Sequence, residues 1–276
     1  SPLSATSRKP PVHHPKFKTL ALACAISLLP ALAIAGAVND RVTATRSVKV
    51  CIWPDYYGVT FRSPRTQQLA GIDIDLSSEF GKTVGASVVL VDSSFPKLIE
   101  DLVGDRCDIA MFAIGVLPQR QAALKFSQPY LQSDIYGVTT RSNRTVKSWA
   151  DIDRPGVQVA VQAGTFMEPV MSEALKQAKM VVVKPPQTRE AELEAGRVDV
   201  FMTDYPYSRR LLDNADWARL VAPDKPFHVL PYAYAVKPGD DVWLKRVDDF
   251  VSLIKQDGRL AAAARRNGLS DIVVTK

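Results

Sequence analysis

Cysteine and histidine are scarce in this chain, three of each in 276 residues, and where they fall excludes more than how few they are. His13 and His14 stand together near the N-terminus and His228 stands alone. No Cys/His spacing suits a metal ion, so neither a metal nor another cofactor is expected. Acidic residues are missing before Asp40, whereas Arg8, Lys9, Lys16 and Lys18 are basic. An apolar run, Leu20–Ala35, follows; Pro30 interrupts it, and it closes on Ala33-Ile34-Ala35. A basic start, an apolar middle and an A-x-A end describe a secretory signal peptide over residues 1–35, cut before Gly36. The run is too short and too broken for a comfortable membrane span. Cys24 sits early in the run, behind Ala21-Leu22-Ala23, which disfavours a lipid-anchor site. The mature chain is expected to be periplasmic.

Removing the leader also removes most of the charge. Net +6 comes from 35 basic and 29 acidic residues, and without the four leader cations 31 remain against 29, a net of +2. No basic block is left for nucleic acid. No internal repeat or low-complexity segment occurs. Two cysteines remain, Cys51 and Cys107. Export permits a disulfide between them, and free buried thiols fit as well.

What is present is ordinary globular composition, 46% apolar and 23% charged, with enough length for two core-bearing lobes. Gly36–Ser47 is polar and reads as a loose lead-in. Val48–Trp53, Ser87–Val91 and Asp108–Ile114 read as strands. Between them lie two helical patterns. One carries Leu76, Phe80 and Val84; the other, Phe95–Val103, carries Phe95, Leu98, Ile99, Leu102 and Val103. Asp134–Thr140, Val157–Val161, Met180–Val183, Val198–Thr203 and His228–Val236 continue the strands. Helices are expected after Gly164 to about Ala178, over Arg189–Ala195, over Asp241–Gln256 and over Arg259–Gly268. Alternation of this kind means βαβ units and a mainly parallel α/β architecture.

In such sheets, ligands bind beyond the carboxyl ends of the strands. Three residues there carry usable chemistry. Arg120 follows the apolar run Ile109–Ile114 and could hold a small carboxylate through two parallel hydrogen bonds. Thr165 follows a strand and opens a helix, where the dipole favours an anion and where Thr is also a common cap. Asp204 lies directly past an apolar strand, where it could take an ammonium group or cap the helix that contains Pro206.

Seven short motifs then fall into one order. They are Gly71-Ile72-Asp73-Ile74-Asp75-Leu76, Asp108-Ile109-Ala110, Arg120, Phe126-Ser127-x-Pro129-Tyr130, Gly164-Thr165, Asp204 and Gln256-Asp257-Gly258. With them the chain, from about Val48 to Gly268, resembles the polar-amino-acid type of periplasmic solute-binding protein, family 3, which serves ABC importers. The resemblance implies a type II two-lobe fold. The first lobe would be residues 48–132 plus 231–276 and the second 133–230. Crossings would fall near Gln132–Asp134 and Val229–Pro231. The lobes would close over the ligand, and a monomer would hand it to the importer's membrane subunits.

By the same resemblance Arg120 binds an α-carboxylate and Asp204 an α-ammonium. Ala113, Gly115 and Thr165 assist, and Trp53, Tyr56 and Phe95 face the ligand's side chain. Phe95 alternatively begins the apolar stripe of its helix. The chain departs from the family pattern at Gly115, usually a hydroxyl residue, and at Phe166, often Thr. No carboxylate is evident for a cationic side chain, so the aromatics Trp53, Tyr56, Phe95 and Phe166 point to an apolar or aromatic ligand. Exported cyclohexadienyl dehydratases share this fold, and the segments Asp153–Val157 and Pro223–Phe227 look like theirs. Glu168 would then be a general acid, with burial raising its pKa; as a first-turn helix carboxylate it needs no such role. Binding is the expected function and dehydration the alternative.

Overall fold

The computed structural model describes residues 36–276, together with Pro11. The leader expected over 1–35 therefore lies outside the described residues, apart from that one proline.

The chain opens with a helix, α1 (Ala37–Thr45), where the sequence reads as a loose lead-in. Only two of its residues are large and apolar, Val38 and Val42, one turn apart and both buried. Contacts from elsewhere hold it: Asn39 N–H donates to Asp240 (2.9 Å) and the Arg41 guanidinium pairs with buried Asp108. Then follow β1 (Ser47–Ile52), a hairpin of β2 (Phe61–Arg62) and β3 (Leu69–Ala70), α2 (Ile72–Val84) and β4 (Ser87–Asp92). α3 (Leu98–Val103), β5 (Ile109–Gly115), α4 (Pro118–Gln121), β6 (Lys125–Phe126) and β7 (Leu131–Ser133) complete this part. The middle of the chain holds β8 (Tyr136–Thr140), β9 (Gln158–Gln162), α5 (Met167–Ala174), β10 (Lys179–Val183) and α6 (Arg189–Glu194), then β11 (Val200–Thr203), α7 (Tyr205–Asn214) and β12 (Ala218–Val221). The end returns through β13 (Leu230–Val236), α8 (Asp241–Asp257) and α9 (Arg259–Arg266).

These strands form two sheets on one plan. The first runs β4-β1-β5-β13-β6, with β7 also on β13; the second runs β10-β9-β11-β8-β12. In each, three parallel strands are followed by an antiparallel one: β13 against β5, and β8 against β11. β5 is buried along its whole length, which is why its sequence is an unbroken apolar run rather than an alternating one. α2 covers this sheet with Ile72, Leu76 and Phe80, and α8 with Trp243, Val247, Phe250, Val251 and Ile254. Phe80 meets Trp243 and Phe250 edge-on, with centroids 5.7 and 5.1 Å apart. Cys51 of β1 and Cys107, just before β5, are joined in a disulfide. β1 and β5 are neighbours in the sheet, so the pair is brought together by topology.

The chain passes between the sheets twice, once at 134–135 and once over 222–229. One carboxylate ties both passages. Buried Asp134 accepts the N–H groups of Ile135 (2.7 Å), Phe227 (2.8 Å) and His228 (2.7 Å).

Two helix limits differ from the sequence reading. α3 begins at Leu98, because Pro96 disfavours helical backbone at Phe95. Phe95 is thereby released from the helix stripe. α5 stops at Ala174, short of Ala178, because the Asp153 carboxylate takes the N–H groups of Lys176, Gln177 and Ala178 at 2.8–3.0 Å.

Candidate functional site

Six parallel strand ends, three from each sheet, point at one cleft. In the first lobe, β1 delivers Trp53 and, one turn on, Tyr56; β4 delivers Phe95; β5 delivers Ala113 and Gly115, with Arg120 on α4. In the second, β9 delivers Gly164 and Thr165, β10 delivers Arg189, and β11 delivers Asp204. The lobes touch where Gly164 meets Phe95 and Pro96. Gly164 has φ 78°, and a Cβ there would lie 2.7 Å from Pro96 N, so this approach requires glycine.

Trp53, Tyr56, Phe95, Ala113, Thr165 and Asp204, all expected from the sequence, line a single inner cavity of about 20 Å³. That is room for about one water molecule. Aromatic packing explains the small volume: Trp53 lies 5.2 Å from Tyr56, 5.6 Å from Phe95 and, nearly parallel, 6.2 Å from Tyr207. Two larger clefts flank it. One of about 460 Å³ is lined by Arg120, Gly164, Thr165 and Glu168; the other, of about 390 Å³, by Asp55, Tyr57, Arg189 and Glu190. A groove of about 620 Å³ between α2 and β4 is larger still, but it carries only the peripheral charges Arg46 and Lys82.

Arg120 is 5% exposed and spans the lobes. Nη1 donates to Gly115 O (2.9 Å) and Nη2 to Gly164 O (2.8 Å), with the guanidinium carbon 5.1 Å from the Phe95 centroid. Burial lowers its pKa to about 10, which leaves it charged at neutral pH. Asp204 is 1% exposed. Its Oδ1 accepts the Tyr207 N–H (3.0 Å), capping α7; its Oδ2 accepts the hydroxyls of Tyr56 and, at 2.6 Å, Tyr232. Burial raises its pKa, opposed by these hydrogen bonds and by the charge of Arg189. Asp204 thus caps α7 and lines the inner cavity at once. Among the described residues, neither Arg120, Arg189 nor Asp204 takes part in an ion pair.

The other expected residues are more occupied with the protein itself. Ala113, at φ 54°, turns its N–H to Tyr130 Oη (3.1 Å), so that N–H serves the network behind β5 rather than the cleft. Gly115 offers Arg120 its carbonyl; a Cβ there would lie 2.6 Å from a terminal methyl of the Leu230 side chain, so the hydroxyl residue of the family pattern would require Leu230 to shift. The Thr165 hydroxyl donates to Gln162 O (2.8 Å), and the residue capping α5 is Phe166. Glu168 is half-buried, in the first turn of α5, and accepts the Gly164 N–H (3.0 Å). No cluster of three or more His, Cys, Asp or Glu side chains able to hold a metal occurs among the described residues.

Sequence reasoning missed Tyr207, Tyr232 and Arg189. Tyr232 lies in β13, whose Tyr-Ala-Tyr alternation was a usable signal. Arg189 reads as the unremarkable first residue of a helix; only the placement of β10 beside β9 brings it to the cleft. The structure also places Asp55 and Glu190 in the outer cleft, carboxylates that the sequence did not reveal as neighbours of the site.

Comparison with known proteins bears on this geometry. The model of the bacterial extracellular solute-binding proteins, family 3, matches residues 48–269. The cyclohexadienyl dehydratase of Pseudomonas aeruginosa is 30% identical over 243 residues, 87% of this chain and 90% of that enzyme. A probable histidine-binding protein of Campylobacter jejuni is 25% identical over 63% of this chain and 66% of its own. Among solved structures, an ancestral amino acid-binding protein described as a precursor of cyclohexadienyl dehydratase superposes with a TM-score of 0.75. It is 27% identical and covers 82% of this chain and 97% of its own.

Proposed function

This chain belongs to the bacterial extracellular solute-binding proteins, family 3, and we propose that it captures a small amino acid in the cleft between its lobes. One observation carries the reading: a buried cation, Arg120, lining the cleft of about 460 Å³, and a buried anion, Asp204, lining the inner cavity beside it, come from opposite lobes without pairing with each other, and Phe95 and Thr165 line both spaces. An α-amino acid head group presents the complementary pair, a carboxylate for Arg120 and an ammonium for Asp204. Each group is provisionally satisfied by the protein. Arg120 holds two backbone carbonyls and Asp204 two tyrosine hydroxyls; the bonds to Gly164 and to the two tyrosines cross between the lobes and are exchangeable once the lobes part. The 20 Å³ inner cavity requires such opening before any amino acid enters. Trp53, Tyr56 and Phe95 would pack on the ligand's side chain, and Thr165 would turn its hydroxyl toward the carboxylate. The lobes would be 48–132 plus 231–276 and 133–230, closing about the Asp134 junction. In the cell, the chain would lose its leader, work in the periplasm and deliver the ligand to an ABC importer, as family membership implies.

Dehydration is the second reading, favoured by the match to a dehydratase over 90% of that enzyme's length. Glu168 lines the same outer cleft as Arg120, so it could reach a substrate held there. Its half-exposed place and its bond to the Gly164 N–H are those of an ordinary first-turn carboxylate, which supports binding without chemistry. A thermal-shift screen of the mature chain against the L-amino acids, several 2-keto acids and prephenate separates the two. At 100 times its dissociation constant a ligand adds about 2.7 kcal/mol. A shift with one group of amino acids is the expected result. Consumption of prephenate, without any amino-acid shift, would overturn it in favour of Glu168 chemistry.

A further inference from the structure

Arg189 is a second buried arginine in the cleft. It opens α6, immediately after the loop that follows β10, and is 3% exposed. Its hydrogen bond runs from Nη1 to Met202 O (2.7 Å), and its guanidinium carbon lies 4.6 Å from the Tyr207 centroid and 5.2 Å from that of Phe201. Among the described residues no fully buried side-chain nitrogen lacks a partner, so the remaining Arg189 N–H groups border open space. That space is the cleft: Arg189 lines both the inner cavity and the outer cleft beside Asp55 and Glu190.

The acids around it are already engaged or peripheral. Asp204 is saturated by two hydroxyls and the Tyr207 N–H. Glu190 accepts the Tyr207 hydroxyl. Asp55 sits at the outer cleft, and the other arginine there, Arg62, is paired with Asp92. The buried charges that face the cleft are therefore two arginines and one aspartate. An amino-acid head group neutralises Arg120 and Asp204 and leaves Arg189 over, and an unpaired buried charge is costly.

We propose that the ligand carries a second carboxylate at the end of its side chain and that Arg189 receives it. The ligand class is then an α-amino dicarboxylic acid, its apolar stem lying along Trp53 and Tyr207. This rests on the amino-acid reading above, and it replaces the apolar side chain that the aromatics alone suggested. A cationic side chain is disfavoured because Arg189 stands between the inner cavity and the two outer acids.

Calorimetric titration tests it with a series that varies only side-chain charge: L-aspartate, L-glutamate and L-2-aminoadipate against L-glutamine, L-norleucine and L-arginine, together with glutarate, which has no amino group. An acidic member should bind about 30-fold or more tighter than its uncharged counterparts. R189Q should erase that gap, and R189K should restore part of it. The wild-type series decides even if R189Q fails to fold. Neutral amino acids or L-arginine binding as tightly as the acids would overturn this inference and leave the amino-acid reading standing. Binding of glutarate, lost in R189Q, with no amino acid bound would overturn the amino-acid reading and keep Arg189 as an anion site. No binding by any member overturns both.

Discussion

Two aspartates in this molecule look alike and differ in where their partners lie. Asp73 and Asp204 are equally buried, 0% and 1% exposed, and each accepts hydroxyls from two tyrosines: Tyr130 and Tyr234 for the first, Tyr56 and Tyr232 for the second. Tyr232 and Tyr234 even come from the same strand, β13. The difference is where the partners live. Asp73 lies on α2 and its tyrosines belong to the same lobe, so nothing short of unfolding separates them. Their network also receives the strained Ala113 at the cleft end of β5, through its N–H bond to Tyr130. Asp204 lies in the second lobe and both its tyrosines lie in the first, so in the proposed function parting the lobes would expose the carboxylate to an incoming cation. A buried acid's hydrogen bonds do not disclose its role; whether they cross from one lobe to the other bears on it.

This contrast can be broken in several ways. The largest effect expected is on binding: Arg120→Ala removes the cation proposed to hold the ligand carboxylate and should cost about 3–5 kcal/mol of affinity, measured by calorimetry. A comparable loss belongs to the other cluster and appears in stability instead. Asp73→Ala leaves two hydroxyls and the Ala113 network without their acceptor, and urea unfolding should register roughly 3 kcal/mol or more.

The pH response should follow Asp73 as well. Burial raises its pKa from 3.8 to about 7. Between those values the native chain keeps a proton that the unfolded chain has lost. This contribution is therefore complete below the unfolded value and declines as pH rises toward 7. Asp73→Asn should flatten that part of the pH–stability profile; an unchanged slope would show that other groups produce it. Smallest of all is the difference between adjacent tyrosines. Tyr234→Phe should destabilise by about 1.5–3 kcal/mol, because Asp73 keeps Tyr130 on Oδ2 but its Oδ1, sealed from solvent, loses its donor. Tyr232→Phe should cost less, because Asp204 keeps Tyr56 and its helix cap and can open to water. Its effect should appear as a larger radius of gyration in X-ray scattering, as the ligand-free closed form weakens.

Much of this could be read from the sequence, for a physical reason. The apolar run ending at Gly115, the strand ending at Asp204 and the strand before Gly164 each announce a carboxyl end, and in a parallel sheet those ends share one edge. Arg120, Thr165 and Asp204 follow from that logic. What stayed hidden depends on contacts between distant segments. Arg189 carries no periodic signal, and its burial follows from packing against Phe201 and Tyr207. The Cys51–Cys107 bond needs the adjacency of β1 and β5, which spacing alone does not give. The α1 helix has only two large apolar residues and depends on Asp108 and Asp240, far along the chain. Phe95 looked like the start of a helix stripe until Pro96 was seen to exclude it from the helix.

The most direct measurement is a comparison of one L-amino acid with its deaminated analogue, titrated into the wild-type chain and into Asp204→Asn. Asparagine can keep an oxygen for the cap on α7 while it removes the charge and turns the oxygen that takes the Tyr56 and Tyr232 hydroxyls into an NH2 group. The account predicts that the wild type prefers the amino acid by about 2–5 kcal/mol and that the preference collapses in the variant. A preference that survives the substitution intact would mean that Asp204 is a helix cap and that the ammonium group binds elsewhere.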